Sequence, residues 1–498
     1  MKKGISPVVA TALLLVVAVV AVVGFNTWFN QYQSKTLSGI ETQSQNSGSL
    51  EIEDLIGSTL YIKNPTSSNL SLKNIKIAGK SCSINQNFAK GISAINVSSC
   101  LNNSVGIVDV VLVTNTTVRS KKLYLPTLII IPSSSLGSSC LSNTSQGFNG
   151  GLGSVSNRWR ICNCTQLQKI KDYTGGNYTL MSDIDCSMTR TWNAGSGWIS
   201  PVFFTGTING GRHTISNLYQ SVASNQIGFI QILFQGRLEN INFNNMNITY
   251  TSGTLGASQG GLISSIGGGP SYVRNITVSN SQFTFRGSYV GGIFGDAQST
   301  TITNVSIVSS KLTNLGNGET GGMAGRFESS SSVTKSLSSV KVTAPSAAYV
   351  GGFVGVITGG ASVSKSLSLS NVTGDTNVGG FVAMAISSGT IMDNYAKSRV
   401  NGTMNVGGFI GNFQAGITLS NCYSASIVGI NWQSGFMGAS YGVESGDYWD
   451  STIAGTVSNS GTAVSRTTAQ MKQQSTFTGW DFTNVWTIIN GTTYPTLR

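Results

Sequence analysis

Histidine occurs once in the 498 residues, at His213. Ser-His-Asp and Cys-His catalysis would have to use it, as would most zinc sites with an imidazole ligand. It sits in "GGRHTISN", between a glycine pair and a short alternating stretch, where a structural role is expected. Carboxylates are the remaining candidates for acid–base chemistry, and a glycosidase needs two of them, about 5–9.5 Å apart. The repetitive part of the chain holds Asp296, Glu319, Glu328, Asp375 and Asp393, which do not recur at matching positions of the repeat. No enzyme activity is therefore expected; a pair meeting across neighbouring repeats is the arrangement that would reopen the question. Asp183 and Asp185 alternate in "DID", and Glu444, Asp447 and Asp450 are close in sequence. Calcium takes about six to eight oxygens, so turn and cap hydrogen bonding is the expected role of both groups, with no metal and no cofactor. Trp192, Trp198, Phe203 and Phe204 form one aromatic group, and Trp449, Trp480 and Trp486 another. They could stack on sugar rings; packing at the ends of a domain is the simpler expectation.

Modification and crosslinking add further candidates. Thirteen N-x-[ST] sequons occur, at Asn69, Asn96, Asn102, Asn115, Asn143, Asn163, Asn177, Asn247, Asn275, Asn304, Asn371, Asn401 and Asn490. None falls in the first 68 residues, although Asn26, Asn30 and Asn46 are available there. That pattern fits a sheltered start and a glycosylated exterior. Seven cysteines are present. In an oxidising medium they should pair and leave one free. Cys82 with Cys100 would close a short loop. Cys140, Cys162, Cys164 and Cys186 cluster, and the expected pairs are Cys140–Cys162 and Cys164–Cys186, although four cysteines allow three connectivities. Cys422 falls at a repeat position that holds Ser336, Ser366 or Asn394 elsewhere, and is expected to be the buried free thiol.

The stretches that carry these residues are unlike one another. "MKKGISPVVATALLLVVAVVAVVGFNTWF" places Lys2 and Lys3 before a run with no charge until Lys35. About 20 apolar residues span a bilayer as a helix, and no A-x-A cleavage site follows the run. Continued through "NQYQSKTLSGIETQSQNSGS", residues 5–48 are expected to form one hydrophobic helix of about 65 Å. From Leu50 the apolar period becomes two, and "NLSLKNIKIAG" and "VGIVDVVLVTN" read as strands of a small β-sandwich over 49–131. Residues 132–158 are rich in Ser and Gly and read as a linker.

The rest, 159–498, repeats. "VGGIFG" at Gly292, "TGGMAG" at Gly322, "VGGFVG" at Gly352, "VGGFVA" at Gly380 and "VGGFIG" at Gly408 belong to a series running from Gly228 to Gly435 in steps of 27 to 33 residues. Alternating segments such as "RNITVSNSQFT" lie between them. Propeller blades need about 40–50 residues, so a period near 30 fits one turn of a β-solenoid, with glycine pairs at sharp corners and caps over the end turns. The fold expected is mainly β: a long N-terminal helix, a small sandwich, then a right-handed solenoid of about 30-residue rungs with a C-terminal cap.

Two resemblances sharpen this. The start, "KKG" followed by "ISPVVATALLL", resembles archaeal type IV pilins and archaellins. These carry a short basic leader, here residues 1–4, that a prepilin peptidase removes before the apolar run. The resemblance implies cleavage between Gly4 and Ile5; the glutamate that bacterial pilins carry at the fifth mature position is Val9 here. Residues 159–498 resemble the GLUG-repeat family, surface or secreted β-solenoid proteins, through "WRICNCTQLQKIKDYTGGNYTLMSDIDCSMTRTWN", the glycine series and the terminal "GDYWDSTIAG" and "GWDFTNVWTIINGTTYPTLR".

Together these imply an extracellular filament subunit. The helix would wait in the membrane, then polymerise with copies of itself as the filament core, while the solenoid is displayed for adhesion or decoration. The implied partners are the chain itself, the prepilin peptidase, the assembly machinery and a surface glycan or cell-surface ligand. Charged residues are only 10% of the chain, and the net charge of +12 (30 basic, 18 acidic) is scattered rather than clustered. That excludes a nucleic-acid footprint. The competing readings are a monomeric, membrane-anchored adhesin and a secreted polysaccharide-active solenoid enzyme.

Overall fold

In the computed structural model the described residues are 49–125, apart from 57–58, 65, 90, 98–99, 101–105 and 115–116, together with Cys140 and 146–498 apart from 430–432 and 457. The chain divides into two compact units at Leu136/Gly137.

In the first unit, seven strands follow one another: β1 (Glu51–Ile56), β2 (Thr59–Asn64), β3 (Leu70–Ile77), β4 (Lys80–Phe88), β5 (Gly91–Asn96), β6 (Gly106–Thr114) and β7 (Val118–Leu125). They form two antiparallel sheets, ordered β1-β2-β5 and β4-β3-β6-β7. Leu60, Ile62, Leu72, Ile75, Ile77 and Leu112 fill one core. A bulge between Leu72 and Asn74 corrects the phase of β3, so that Leu72 and Ile75, an odd number of residues apart, both face inward. Cys82 on β4 is disulfide-bonded to Cys100.

The second unit is a β-solenoid of about nine rungs, counted on a nine-stranded parallel sheet that takes one strand from each, from Phe203–Phe204 to Met437–Ser440. A seven-stranded parallel sheet, from Gly256–Gly260 to Gln433–Ser434, forms a second face, and a larger sheet closes each rung. Isoleucine, valine and phenylalanine at alternate positions point inward, and stacking satisfies the backbone from rung to rung. One interior column holds Phe353, Phe381, Phe409 and Phe436, whose rings stack at 4.7, 5.0 and 5.0 Å. The glycine signature has a geometric cause. A Cβ on Gly352 would stand 2.2 Å from the Gly380 carbonyl oxygen, and one on Gly380 would stand 2.1 Å from that of Gly408. Only glycine allows this rung-to-rung approach.

A second column is polar and buried. The Ser336 backbone N–H donates to Ser366 Oγ (3.1 Å), that of Ser366 to Asn394 Oδ1 (2.8 Å), and that of Cys422 to Asp447 Oδ1 (2.7 Å). Cys422 therefore stands in the column of Ser336, Ser366 and Asn394 and is a buried free thiol.

Two expectations are corrected. Among the described residues the α-helices are short turns, α1 (Cys164–Gln168), α2 (Ser451–Ala454) and α3 (Thr468–Met471). No described helix is long and apolar enough to cross a membrane. The long apolar helix expected at the N-terminus is thus no part of the described fold; the residues assigned to it, 5–48, lie outside the described residues. Each of the helices present opens on a side-chain N-cap, Asn163 for α1, Asp450 for α2 and a Thr467/Gln470 capping box for α3, and α2 stops at Gly455 in the left-handed conformation. Residues 146–158, read by composition as linker, pack on the first rung. Phe148 is fully buried and stacks on Trp159 at 4.9 Å. The glycines there serve close approach, since a Cβ on Gly151 would strike the Arg158 carbonyl.

Candidate functional site

The glycine corner also builds an outward feature. At each corner the seven-stranded and nine-stranded faces fold toward one another on the solvent side and form a crease along the solenoid. A Cβ on Gly325 would stand 2.4 Å from the Val290 nitrogen, and one on Gly438 would stand 2.3 Å from the Asn405 carbonyl carbon. Glycine therefore forms the crease floor, where the walls nearly touch.

The walls follow from strand alternation and register. Ala297 is fully buried in the core, so its strand neighbour Asp296 points the other way, into the crease; Arg326, Val356, Met384 and Asn412 succeed it rung by rung. On the opposite wall Tyr289 is paired with Glu319. Tyr349, Asn377 and Asn405 hold the same place on later rungs, two residues before the signature's first glycine.

Near Gly292 and Gly322 this geometry gathers charge. Arg326 Nε donates to Glu319 Oε2 at 2.8 Å, its Nη2 bonds Glu319 Oε1, and its Nη1 lies 3.5 Å from Glu328 Oε2. The guanidinium lies over the Tyr289 ring, 4.3 Å from its centre. Asp296 is 6% exposed. Burial pushes its pKa up to about 6, against the hydrogen bond that Gln298 Nε2 donates to its Oδ2 at 2.9 Å. Burial likewise raises Glu319, with Arg326 opposing, and the Glu319 hydrogen bond holds Arg326 firmly charged.

Further along, the crease is lined with amides. Asn405 Nδ2 and Asn412 Nδ2 both donate to Asn377 Oδ1, at 2.9 and 3.1 Å, and Gln414 Nε2 donates to Asn412 Oδ1 at 2.6 Å.

The structure thus brings Asp296, Glu319 and Glu328 together. It leaves Asp375 with Thr403 and Asp393 on another corner with Asn421. His213 Nδ1 lies 3.3 Å from Asp183 Oδ1, which also accepts from the Thr214 backbone; Asp185 accepts from Asn217 and Ser187. These are ties between rungs and turns. Asp450 caps α2 and accepts from the Tyr494 hydroxyl. Glu444 accepts from the Ala463 backbone, and Asp447, inside the last rung, is driven well above the carboxylate range by burial. Among the described residues no cluster has the makings of a metal site.

Trp198, Phe204, Trp449, Trp480 and Trp486 are buried at the solenoid ends, Trp192 is half-buried, and Phe203 is 55% exposed. Disulfides join Cys140 to Cys162 and Cys164 to Cys186 beside the first rung. Among the sequons, Asn163 caps α1, Asn490 accepts from Gln474, and Asn177 donates to Gly153. Asn275 and Asn304 extend a side-chain ladder from Asn240, at 2.8 and 3.0 Å. Asn69, Asn371 and Asn401 are exposed, Asn247 is half-exposed, and Asn96 lies on β5. Asn102, Asn115 and Asn143, like Gly4 and Ile5, lie outside the described residues.

Sequence reasoning found three carboxylates of the crease and missed Arg326, Tyr289, Tyr349 and the amides. Counting from the signature would have found them: each wall residue keeps a fixed offset from the glycine pair.

Comparison with known proteins adds a partial likeness. Halomucin of Haloquadratum walsbyi is 32% identical over 162 residues, which is 29% of this chain and 2% of Halomucin. An IgA1 protease structure aligns over 80% of this chain and 27% of its own, at 14% identity and a TM-score of 0.38. The chain thus spans only a small part of either protein. No protein-family model matches.

Proposed function

We propose that the chain is an extracellular or cell-surface protein whose capped solenoid is displayed outward for adhesion or surface decoration. The observation that carries this is the pair of disulfides that staple the solenoid's first rung, because such bonds form and persist in oxidising compartments. The partial likeness to Halomucin, a protein named for mucin, supports the same setting.

The finer reading is a filament subunit. It rests on the pilin-like residues 1–48 and the GLUG-like residues 159–498, whose glycine corners have the geometric cause given above. In this reading the leader is cut before Ile5, the apolar segment assembles with copies of itself, and the solenoid stays outside the polymer. Labelling intact cells with a membrane-impermeant amine reagent, then determining the N-terminus of the labelled chain by mass spectrometry, tests both levels. The expected result is a labelled chain that begins at Ile5. Intact Met1 would favour the anchored monomer, a start near residue 30 would indicate an ordinary secretory signal, and an unlabelled chain would overturn surface display.

A further inference from the structure

Within the crease, hydrogen-bond acceptors outnumber donors at one place. Asp296 Oδ1 is buried and has no hydrogen-bond partner, although its carboxylate lies on an outward wall, in the field of Arg326, Glu319 and Glu328. A buried acceptor without a partner is costly, and no neighbouring side chain donates to this one. Arg326 is the cation among three carboxylates, and its guanidinium is already committed to Glu319, Glu328 and the Tyr289 face. The cluster is therefore short of donors and of positive charge. Tyr349, half-buried, flanks Glu319 on the next rung, and the amide row of Asn377, Asn405 and Asn412 continues along the same groove. Carboxylates that take hydrogen bonds from a ligand, an aromatic wall and a run of amides suit a ligand that is long, apolar on its ring faces and rich in O–H and N–H groups.

We propose that the crease, centred on Asp296 and Glu319, binds a saccharide chain carrying hydroxyl and amino donors. Asp296 Oδ1 accepts from one sugar unit, Glu328 and the solvent-facing side of Glu319 accept from its neighbours, and Tyr349 packs against a ring face. The amides hold the continuation of the chain. A divalent cation suits the place less well, because the Arg326 guanidinium stands inside the cluster. The proposal deepens the adhesive reading above and rests on it for its biological setting, but not for its chemistry.

The test is isothermal titration calorimetry of the full-length chain at pH 7 with four probes: a glucosamine hexamer, cellohexaose, hexagalacturonate and calcium chloride. The glucosamine hexamer should bind most tightly, cellohexaose more weakly, and hexagalacturonate not at all. Asp296→Asn and Tyr349→Ala should each weaken the glucosamine hexamer by tenfold or more with unchanged circular dichroism, while the interior change Phe353→Leu should leave affinity within twofold. If Asp296→Asn fails to fold, Tyr349→Ala decides. No binding of either non-acidic hexamer, equal binding of hexagalacturonate, calcium alone titrating the site, or unchanged affinity in both wall variants would each overturn the proposal. Because the titration uses purified protein, its failure leaves surface display standing, and failure of cell-surface labelling leaves the titration standing.

Discussion

The inner and outer sides of the glycine corner obey different rules. Inside, Phe353, Phe381, Phe409 and Phe436 repeat one residue type in one stack. Outside, at equally constant offsets, the first wall reads Tyr289, Glu319, Tyr349, Asn377, Asn405 and the second Asp296, Arg326, Val356, Met384, Asn412. The rungs are equivalent as scaffold and unequal as surface. Where the residue recurs, packing dictates it. Where geometry recurs and the residue does not, packing is indifferent and a ligand can set the choice.

The harshest way to break the inner side is Gly380→Val. Its Cβ would meet the Gly408 carbonyl at 2.1 Å, so neighbouring rungs must separate. The expected loss exceeds about 4 kcal/mol, above ordinary core overpacking because the atom met is a backbone carbonyl that cannot turn aside, and thermal denaturation followed by circular dichroism should show the solenoid transition gone or severely lowered. The matched outer change, Met384→Ser on the half-buried wall, should move stability by no more than about 1 kcal/mol. Similar losses from both would erase the distinction between inside and outside.

Next is Phe381→Ala. It removes a fully buried ring that stacks on two neighbours at 4.7 and 5.0 Å. A loss of about 3–5 kcal/mol is expected in chemical denaturation. Phe381→Leu should recover most of it, because volume rather than aromaticity fills the column.

A smaller effect belongs to the first rung. The Cys164–Cys186 bond closes 22 residues of chain. Its removal by Cys164→Ser with Cys186→Ser should cost about 2–4 kcal/mol, and amide exchange should place the loosening near Trp159–Leu180 rather than in the Phe353 column. Uniform loosening would mean that the rungs melt as one unit.

These differences explain what could be read in the sequence. The glycine series was legible because a backbone approach that no Cβ can enter leaves no choice of residue. The place of Cys422 was legible for a related reason: it occupies a column whose other members, Ser336, Ser366 and Asn394, serve the same inter-rung bonds. The acidic cluster was only half legible. Asp296 and Glu319 belong to successive rungs and opposite walls, so nothing in their sequence spacing announces that Arg326 ties the group together. Composition misled at residues 146–158, where Gly150, Gly151 and Gly153 look like flexible linker and instead take positive φ, with Gly151 and Gly153 packed against Trp159. Helical character inferred from the apolar run at 5–48 had no counterpart among the described helices, which are short turns.

The smallest effect is electrostatic. Burial raises Asp447 above its unfolded value, so the folded state binds the proton more tightly. Its neutral form contributes stability that is complete below the ordinary carboxylate pKa and is lost as pH rises through the folded value. Asp447→Asn keeps an acceptor for the Cys422 backbone N–H and removes the titration. The variant should melt higher than the parent at pH 8, on the order of 1 kcal/mol more stable, and the gap should close by pH 4. A gap that widens toward acid would reverse the sign and contradict the burial argument.

The division between a repeating interior and a variable, ligand-reading crease is tested most directly by hydrogen–deuterium exchange of the full-length chain with and without saturating glucosamine hexamer. The expected result is added protection confined to the crease walls, in the strands Gly287–Gly291, Phe294–Gln298, Glu319–Gly321 and Ala324–Glu328, with the larger face of the solenoid unchanged. Protection on that larger face or at the aromatic end caps instead, with the crease walls unaltered, would contradict it.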